Sequence, residues 1–301
     1  MVRRIVFVLA LAFVLVLALG ILVYGDSSSD GASVPSLSSV EAGALPGPPD
    51  PPPLDLQRIW AEAVTRDTSP DLAAHGRTGT FGGEVALTFD DGPEPRTTPM
   101  VLDTLREHDL KATFFVVGNQ VAENPGLLRR IVAEGHILGN HTYTHADMAT
   151  LDPAGMRREL RSTQEAVDEA LGYHYPMVVM RPPYGSPYFD GSRALPAFRK
   201  VVQKERLFPV IWTVDPRDYL FGDRPESVVR AVIRADEASK RRERDEVVLL
   251  HDSNSQTAQA LPEIIDYYEQ SDRQFASVRG LLVDKYGDDS ASPSHGSRNS
   301  P

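Results

Sequence analysis

No cysteine occurs in the 301 residues, which excludes disulfides, thiolate metal sites and a cysteine nucleophile together. Basic charge is also scarce. Thirty-one Lys and Arg face 42 Asp and Glu, a formal net charge of −11, so nucleic acid has no general electrostatic reason to bind. Neither a Gly-x-Ser-x-Gly elbow nor a glycine-rich phosphate loop is found, which removes the common serine-hydrolase and nucleotide-dependent classes. What remains, 41% hydrophobic and 24% charged, is the balance of a chain that buries one sizeable core and carries appendages.

Long apolar runs are rare, with one exception from Ile5 to Tyr24, about the 20 residues a helix needs to cross a bilayer. A cleaved signal peptide has a shorter apolar core and a small-x-small cleavage site, whereas this run ends in Leu22-Val23-Tyr24-Gly25. The pattern predicts an uncleaved transmembrane anchor over residues 1–25. With Arg3 and Arg4 ahead of it, the N-terminus stays cytoplasmic and everything after Gly25 is extracytoplasmic. Residues 26–53, rich in Ser, Gly and Pro, have too little apolar area to offset the entropy of ordering and predict a linker that is stiff where prolines crowd. Leu54, Leu56, Ile59, Trp60 and Ala63 have roughly helical spacing, so 54–83 reads as an extension packed on the domain, and 287–301 as a disordered tail.

Between residues 84 and 286, short β-like runs alternate with amphipathic helical ones. Strands are expected at Val85–Phe89, Ala112–Val117, His136–Gly139, Met177–Met180, Pro209–Val214, Val247–Leu250 and, more weakly, Phe275–Val278. The clearest helix is Pro153–Leu171, capped by Asp152, stopped by Gly172 and buried along Met156, Leu160, Val167 and Leu171. Such alternation predicts an α/β fold, a distorted seven-stranded (β/α) barrel, with its chemistry at the C-terminal ends of the strands.

Five strand candidates run into ionisable clusters: Asp90-Asp91-Gly92-Pro93, Asn140-His141-Thr142-Tyr143-Thr144-His145, Arg181-Pro182-Pro183-Tyr184-Gly185, Asp215-Pro216-Arg217-Asp218-Tyr219 and His251-Asp252. Singly, each has an ordinary reading: Asp-Asp-Gly-Pro is a turn signature, and a lone strand-end histidine is more often a packed one. Jointly, five such coincidences are hard to sustain. If its segment is helical, His141 and His145 face one side and offer two nitrogens to a metal ion. Thr142 stands where zinc proteases carry their glutamate, so a third ligand and a base must come from elsewhere, and Asp90 and Asp91 can supply both.

With these five clusters in this order, residues from about 84 to 283 resemble the polysaccharide deacetylases that share the NodB-homology domain, carbohydrate esterase family 4. The resemblance implies a distorted barrel in which Asp91, His141 and His145 hold a divalent metal and Asp90 is the general base. It further implies His251 as general acid oriented by the fourth-cluster carboxylate, taken as Asp215, with Arg181 paired to the base. Tyr184 is similar to the oxyanion-binding residue and Leu249 to the one lining the acetyl-methyl pocket; Tyr219 and Ala146 depart from the family's usual indole and proline.

Two imidazoles and one carboxylate leave coordination positions open and suit zinc first, with cobalt, nickel or manganese able to take the same ligands. The expected activity is hydrolysis of the acetamido group of N-acetylated sugars in a cell-wall polysaccharide, peptidoglycan N-acetylglucosamine above all. The rivals are an O-acetyl esterase using the same site and a non-catalytic wall-carbohydrate-binding module on the same fold. Nothing in the sequence fixes an oligomeric state.

Overall fold

The sequence Val85-Ala-Leu-Thr-Phe-Asp90 has almost no polar alternation, and all six residues of this first strand, β1 (Val85–Asp90), are buried, as in a strand covered on both faces. The computed structural model describes residues 83–189, 192–240, 245–271 and 273–286. The expected anchor, linker and tail, and all but the last residue of the 54–83 extension, lie outside them. Among the described residues no helix is long and apolar enough to cross a membrane.

After β1 come α1 (Thr98–Glu107), β2 (Thr113–Val116), α2 (Gly118–Glu123), α3 (Pro125–Ala133), β3 (Ile137–Asn140) and α4 (Pro153–Leu171). The chain continues through β4 (Val179–Met180), α5 (Leu195–Lys204), β5 (Phe208–Pro209), α6 (Pro225–Lys240), β6 (Glu246–His251), α7 (Ser255–Glu269) and α8 (Val278–Tyr286). The strands form one six-stranded sheet in the order β5-β4-β3-β2-β1-β6, and every named pairing is parallel. This is a parallel α/β sheet consistent with a distorted barrel. Its strands and helices share one core, where Phe89 and Phe114 stack at 5.1 Å; each such fully buried ring contributes roughly 1.5–3 kcal/mol.

The expected seventh strand is reduced to a single bridge between Phe275 and Val85. The Val85 amide donates to the Gln274 carbonyl (2.8 Å) and the Ala276 amide to the Val85 carbonyl (2.9 Å), beside the start of β1, because β2 first pairs only at Thr88. The expected strand Pro209–Val214 also divides. The Val210 amide donates to the Met180 carbonyl of β4, whereas the Thr213 and Val214 amides turn to the Val247 carbonyl of β6. One stretch thus joins β4 near one side of the sheet to β6 at the far edge, and because it changes partner midway no continuous ladder forms. Helix α4 has the expected bounds, with the Gly155 amide donating to Asp152 Oδ1 (2.6 Å) and Gly172 left-handed at φ 78°. Met156, Leu160 and Val167 are buried as expected, while Leu171 is only partly so.

Candidate active site

Four strands deliver their polar residues at their C-terminal ends: Asp90 closes β1, His141 follows β3, Arg181 follows β4 and His251 closes β6. Asp90 and His251 are register partners across β1 and β6, which fixes an acid and a potential proton donor side by side. The chain leaves β1 through Asp91, left-handed at φ 79°, and Gly92. A side-chain carbon at position 92 would collide with the Asp252 carboxylate, so the turn needs glycine.

His141 and His145 come together by a route other than the expected helix. Residues 141–147 form an irregular loop in which Thr142 (φ 66°) and His145 (φ 58°) are left-handed. The His141 Nδ1–H donates to the Arg181 carbonyl (2.7 Å), which leaves Nε2 as a bare lone pair. Asp91 Oδ1 lies 3.5 Å from His141 Nε2 and 3.1 Å from His145 Nε2. Although buried, that oxygen makes no hydrogen bond: the separations suit one, but the alignment does not. Ligand atoms on a tetrahedral ion at about 2.0–2.2 Å stand roughly 3.3–3.6 Å apart; the two Asp91 separations lie close to that range, and all three atoms lie within 4.8 Å of one another. Burial pushes the Asp91 carboxyl up; protonated imidazoles at His141 and His145 outweigh it and hold the group well below the usual carboxylate range, a positive charge that a divalent cation would replace. The donor set therefore fits a divalent cation. A second cluster, His108 with Asp266 and Glu269, lies mostly exposed on the surface.

Arg181 is fully buried and reaches back to β1. Its NH1 donates to Asp90 Oδ1 (2.7 Å) and Thr88 Oγ1 (2.9 Å), its Nε donates to the Val210 carbonyl (3.0 Å), and its guanidinium lies 4.1 Å above the Phe115 ring. A planar donor fork held on several sides fixes Asp90 in one orientation. The other carboxylate oxygen, Oδ2, is left 3.7 Å from His141 Nε2, on the side of the triad.

The partner of His251 is Asp218, not Asp215. The His251 Nδ1–H donates to Asp218 Oδ1 (2.6 Å), while Asp218 Oδ2 accepts from the His251 amide (2.8 Å) and from Thr257 Oγ1 (2.6 Å). Asp215 instead caps its own turn, accepting from the Arg217 amide at 2.9 Å. Left-handed Arg217 (φ 53°) then opens the short helix Asp218–Leu220, in which Asp218 is buried. Burial lowers the His251 pKa, but Asp218 outweighs it and the group is raised to about 9. Asp252 turns away from the triad, accepting from Thr98 Oγ1 (2.6 Å); burial, reinforced by Asp91 and Asp90, pushes it up to about 7.

Two exposed tyrosines frame the constellation: Tyr184 (66% exposed) stands edge-on to His145 at 4.9 Å and Tyr219 (53% exposed) edge-on to His251 at 5.6 Å. Leu249 is buried in β6, two residues before His251. Sequence reasoning missed Asp218 as the histidine partner, although it was visible in the same cluster, and missed Thr257, for which the sequence carries no signal.

Fold and constellation together define a parallel α/β domain with a candidate three-donor metal site beside a carboxylate and a histidine at its strand ends. The family model described as polysaccharide deacetylase matches residues 79–197. Chitooligosaccharide deacetylase of Rhizobium leguminosarum bv. trifolii is 40% identical over 177 residues, covering 58% of this chain and 74% of its own. Peptidoglycan-N-acetylglucosamine deacetylase PgdA of Listeria monocytogenes is 34% identical over 202 residues, 67% of this chain and 39% of the relative, so the chain spans about two fifths of that protein's length. The structure of a CE4 family pseudoenzyme from Bacillus anthracis aligns over 72% of this chain and 70% of its own, at 27% identity and TM-score 0.60. The chain belongs to the polysaccharide deacetylase family.

Proposed function

We propose that this chain hydrolyses the acetamido group of N-acetylated sugars in a cell-wall polysaccharide, releasing acetate, and that peptidoglycan N-acetylglucosamine is its substrate. The observation that carries the reading is the convergence of Asp91, His141 and His145 between two oriented groups, Asp90 held by Arg181 and His251 held by Asp218. One relative is named for peptidoglycan N-acetylglucosamine and another for chitooligosaccharides, and both names specify deacetylases. A tethered position supports the wall polymer: the apolar run from Ile5 to Tyr24 would anchor the chain, with the catalytic domain outside the membrane.

A divalent cation held by Asp91, His141 and His145, zinc in our reading, would polarise the acetyl carbonyl and acidify a water. Asp90 Oδ2 takes the proton of the attacking water, because Oδ1 is committed to Arg181. The Tyr184 amide donates to the developing oxyanion. His251 gives the proton on Nε2 to the leaving sugar nitrogen, its Nδ1–H remaining with Asp218. As the C–N bond breaks, water has supplied hydroxyl to the acetyl group and the amine leaves neutral. Leu249 and Tyr219 bound the acetyl methyl.

The test is mass spectrometry of muropeptides and N-acetylglucosamine oligomers incubated with the chain. Loss of acetyl with a new free amine, faster on muropeptides, is expected. Acetyl loss that frees a hydroxyl would move the reading to an ester hydrolase, and unchanged masses would leave a carbohydrate-binding module.

A further inference from the structure

The loop carrying both histidines has two left-handed residues and no regular structure, so something outside it must hold its shape. From one side, the Gly118 and Asn119 amides donate to the Thr142 and Tyr143 carbonyls at 2.9 and 3.0 Å. The Thr142 amide donates to Asn140 Oδ1 at 2.9 Å, and the two residues after it are held by one side chain, Glu159 of α4. Its Oε2 accepts from both the Tyr143 and Thr144 amides at 2.8 Å, and its Oε1 accepts from Thr144 Oγ1 at 2.9 Å. Every one of these groups lies between His141 and His145 in the sequence. Among the described residues Glu159 makes no ion pair, so its charge is spent on these three donors.

We propose that Glu159 is a positioning residue for the metal site: it sets the distance between the two imidazoles by fixing the backbone between them. This rests on the reading of Asp91, His141 and His145 as metal ligands. With Glu159 removed, the Tyr143 and Thr144 amides lose their acceptor, the loop gains conformations, and the two imidazoles must be ordered by the cation itself. That ordering is subtracted from binding. A glutamine retains an oxygen for the two amides and an NH2 that donates to Thr144 Oγ1, so it should restore the site where alanine does not.

The experiment is Zn(II) affinity by chelator competition, with the visible spectrum of the Co(II) form, on full-length wild type, E159A, E159Q and H141A. Expected are roughly 10–100-fold weaker Zn(II) binding and an altered Co(II) spectrum in E159A, with E159Q within about threefold of wild type. Metal-free melting temperature is read in parallel. A purely structural role would lower it and leave the affinity and spectrum unmoved, and that result overturns the proposal. Should E159A fail to fold, E159D, whose carboxylate is one methylene short, carries the same prediction. If wild type and H141A bind Zn(II) alike, the metal reading itself falls, a result separate from any outcome at Glu159.

Discussion

Strand β6 runs between two buried acid clusters that have much in common and are built for different ends. At its C-terminal end, Asp90 meets Arg181 at 2.7 Å beside His251. At its N-terminal end, Glu246 meets Arg273 at 3.0 Å, with Asp236 a further partner of that arginine at 3.6 Å and the Tyr267 hydroxyl donating to Asp236 Oδ2. Both ends perturb titration: His251 is raised to about 9, and burial with the Asp236 contact pushes Glu246 up to about 8 against the pull of Arg273. A perturbed group therefore does not separate the functional end from the structural one. Two other features do. Around the upper cluster Asp91, Thr142, His145, Tyr184 and Arg217 have positive φ, whereas Asp236 and Glu246 sit in a regular helix and strand. And only the upper end holds imidazole nitrogens and a carboxylate oxygen close together without hydrogen-bonding one another.

The contrast breaks most visibly under substitution. Asp90→Asn or His251→Ala is expected to lower kcat/KM by two to four orders of magnitude, with the melting temperature little changed. Arg273→Ala should do the reverse. Leaving Asp236 and Glu246 without their shared cation costs about 3–5 kcal/mol in denaturant unfolding, with kcat preserved while the protein stays folded. Equal damage to turnover from both ends would remove the distinction.

A finer test lies within the upper cluster. In the metal-free protein the imidazole of His251 should titrate near pH 9, and Asp218→Asn should bring its midpoint down toward the ordinary value while Asp215→Asn leaves it in place, as read by NMR. The sign for stability follows. A histidine whose folded pKa is raised stabilises fully below its unfolded value of about 6.5 and loses that contribution as pH rises through about 9, so the wild-type advantage over Asp218→Asn should fade across that window. Smallest is the helix cap, away from either cluster: Asp152→Ala should cost about 1 kcal/mol and leave both titrations unmoved.

Much of this was legible because it depends on residue type and local order. β1 is a run of apolar residues ending in Asp90, and α4 announces both ends through Asp152, Pro153 and Gly172. The three residues that cluster, Asp91, His141 and His145, were likewise readable as types at strand ends. What could not be read is set by backbone direction and partners distant in sequence. Asp215 and Asp218 share one turn, and the left-handed Arg217 between them decides which faces His251. The loop of His141 and His145 has a spacing equally compatible with a helix, and only its anchorage to α2 and α4 makes it something else. The split of the fifth strand is a tertiary choice between β4 and β6, which periodicity within one segment does not record.

The most direct measurement is a metal titration of the chelator-stripped chain, following acetate release from N-acetylglucosamine oligomers at each added equivalent of Zn(II). Turnover should rise linearly and stop at one equivalent per chain, and Asp91→Asn should show neither tight binding nor turnover. Full turnover in the stripped protein, or in Asp91→Asn at the same metal concentration, would contradict the account.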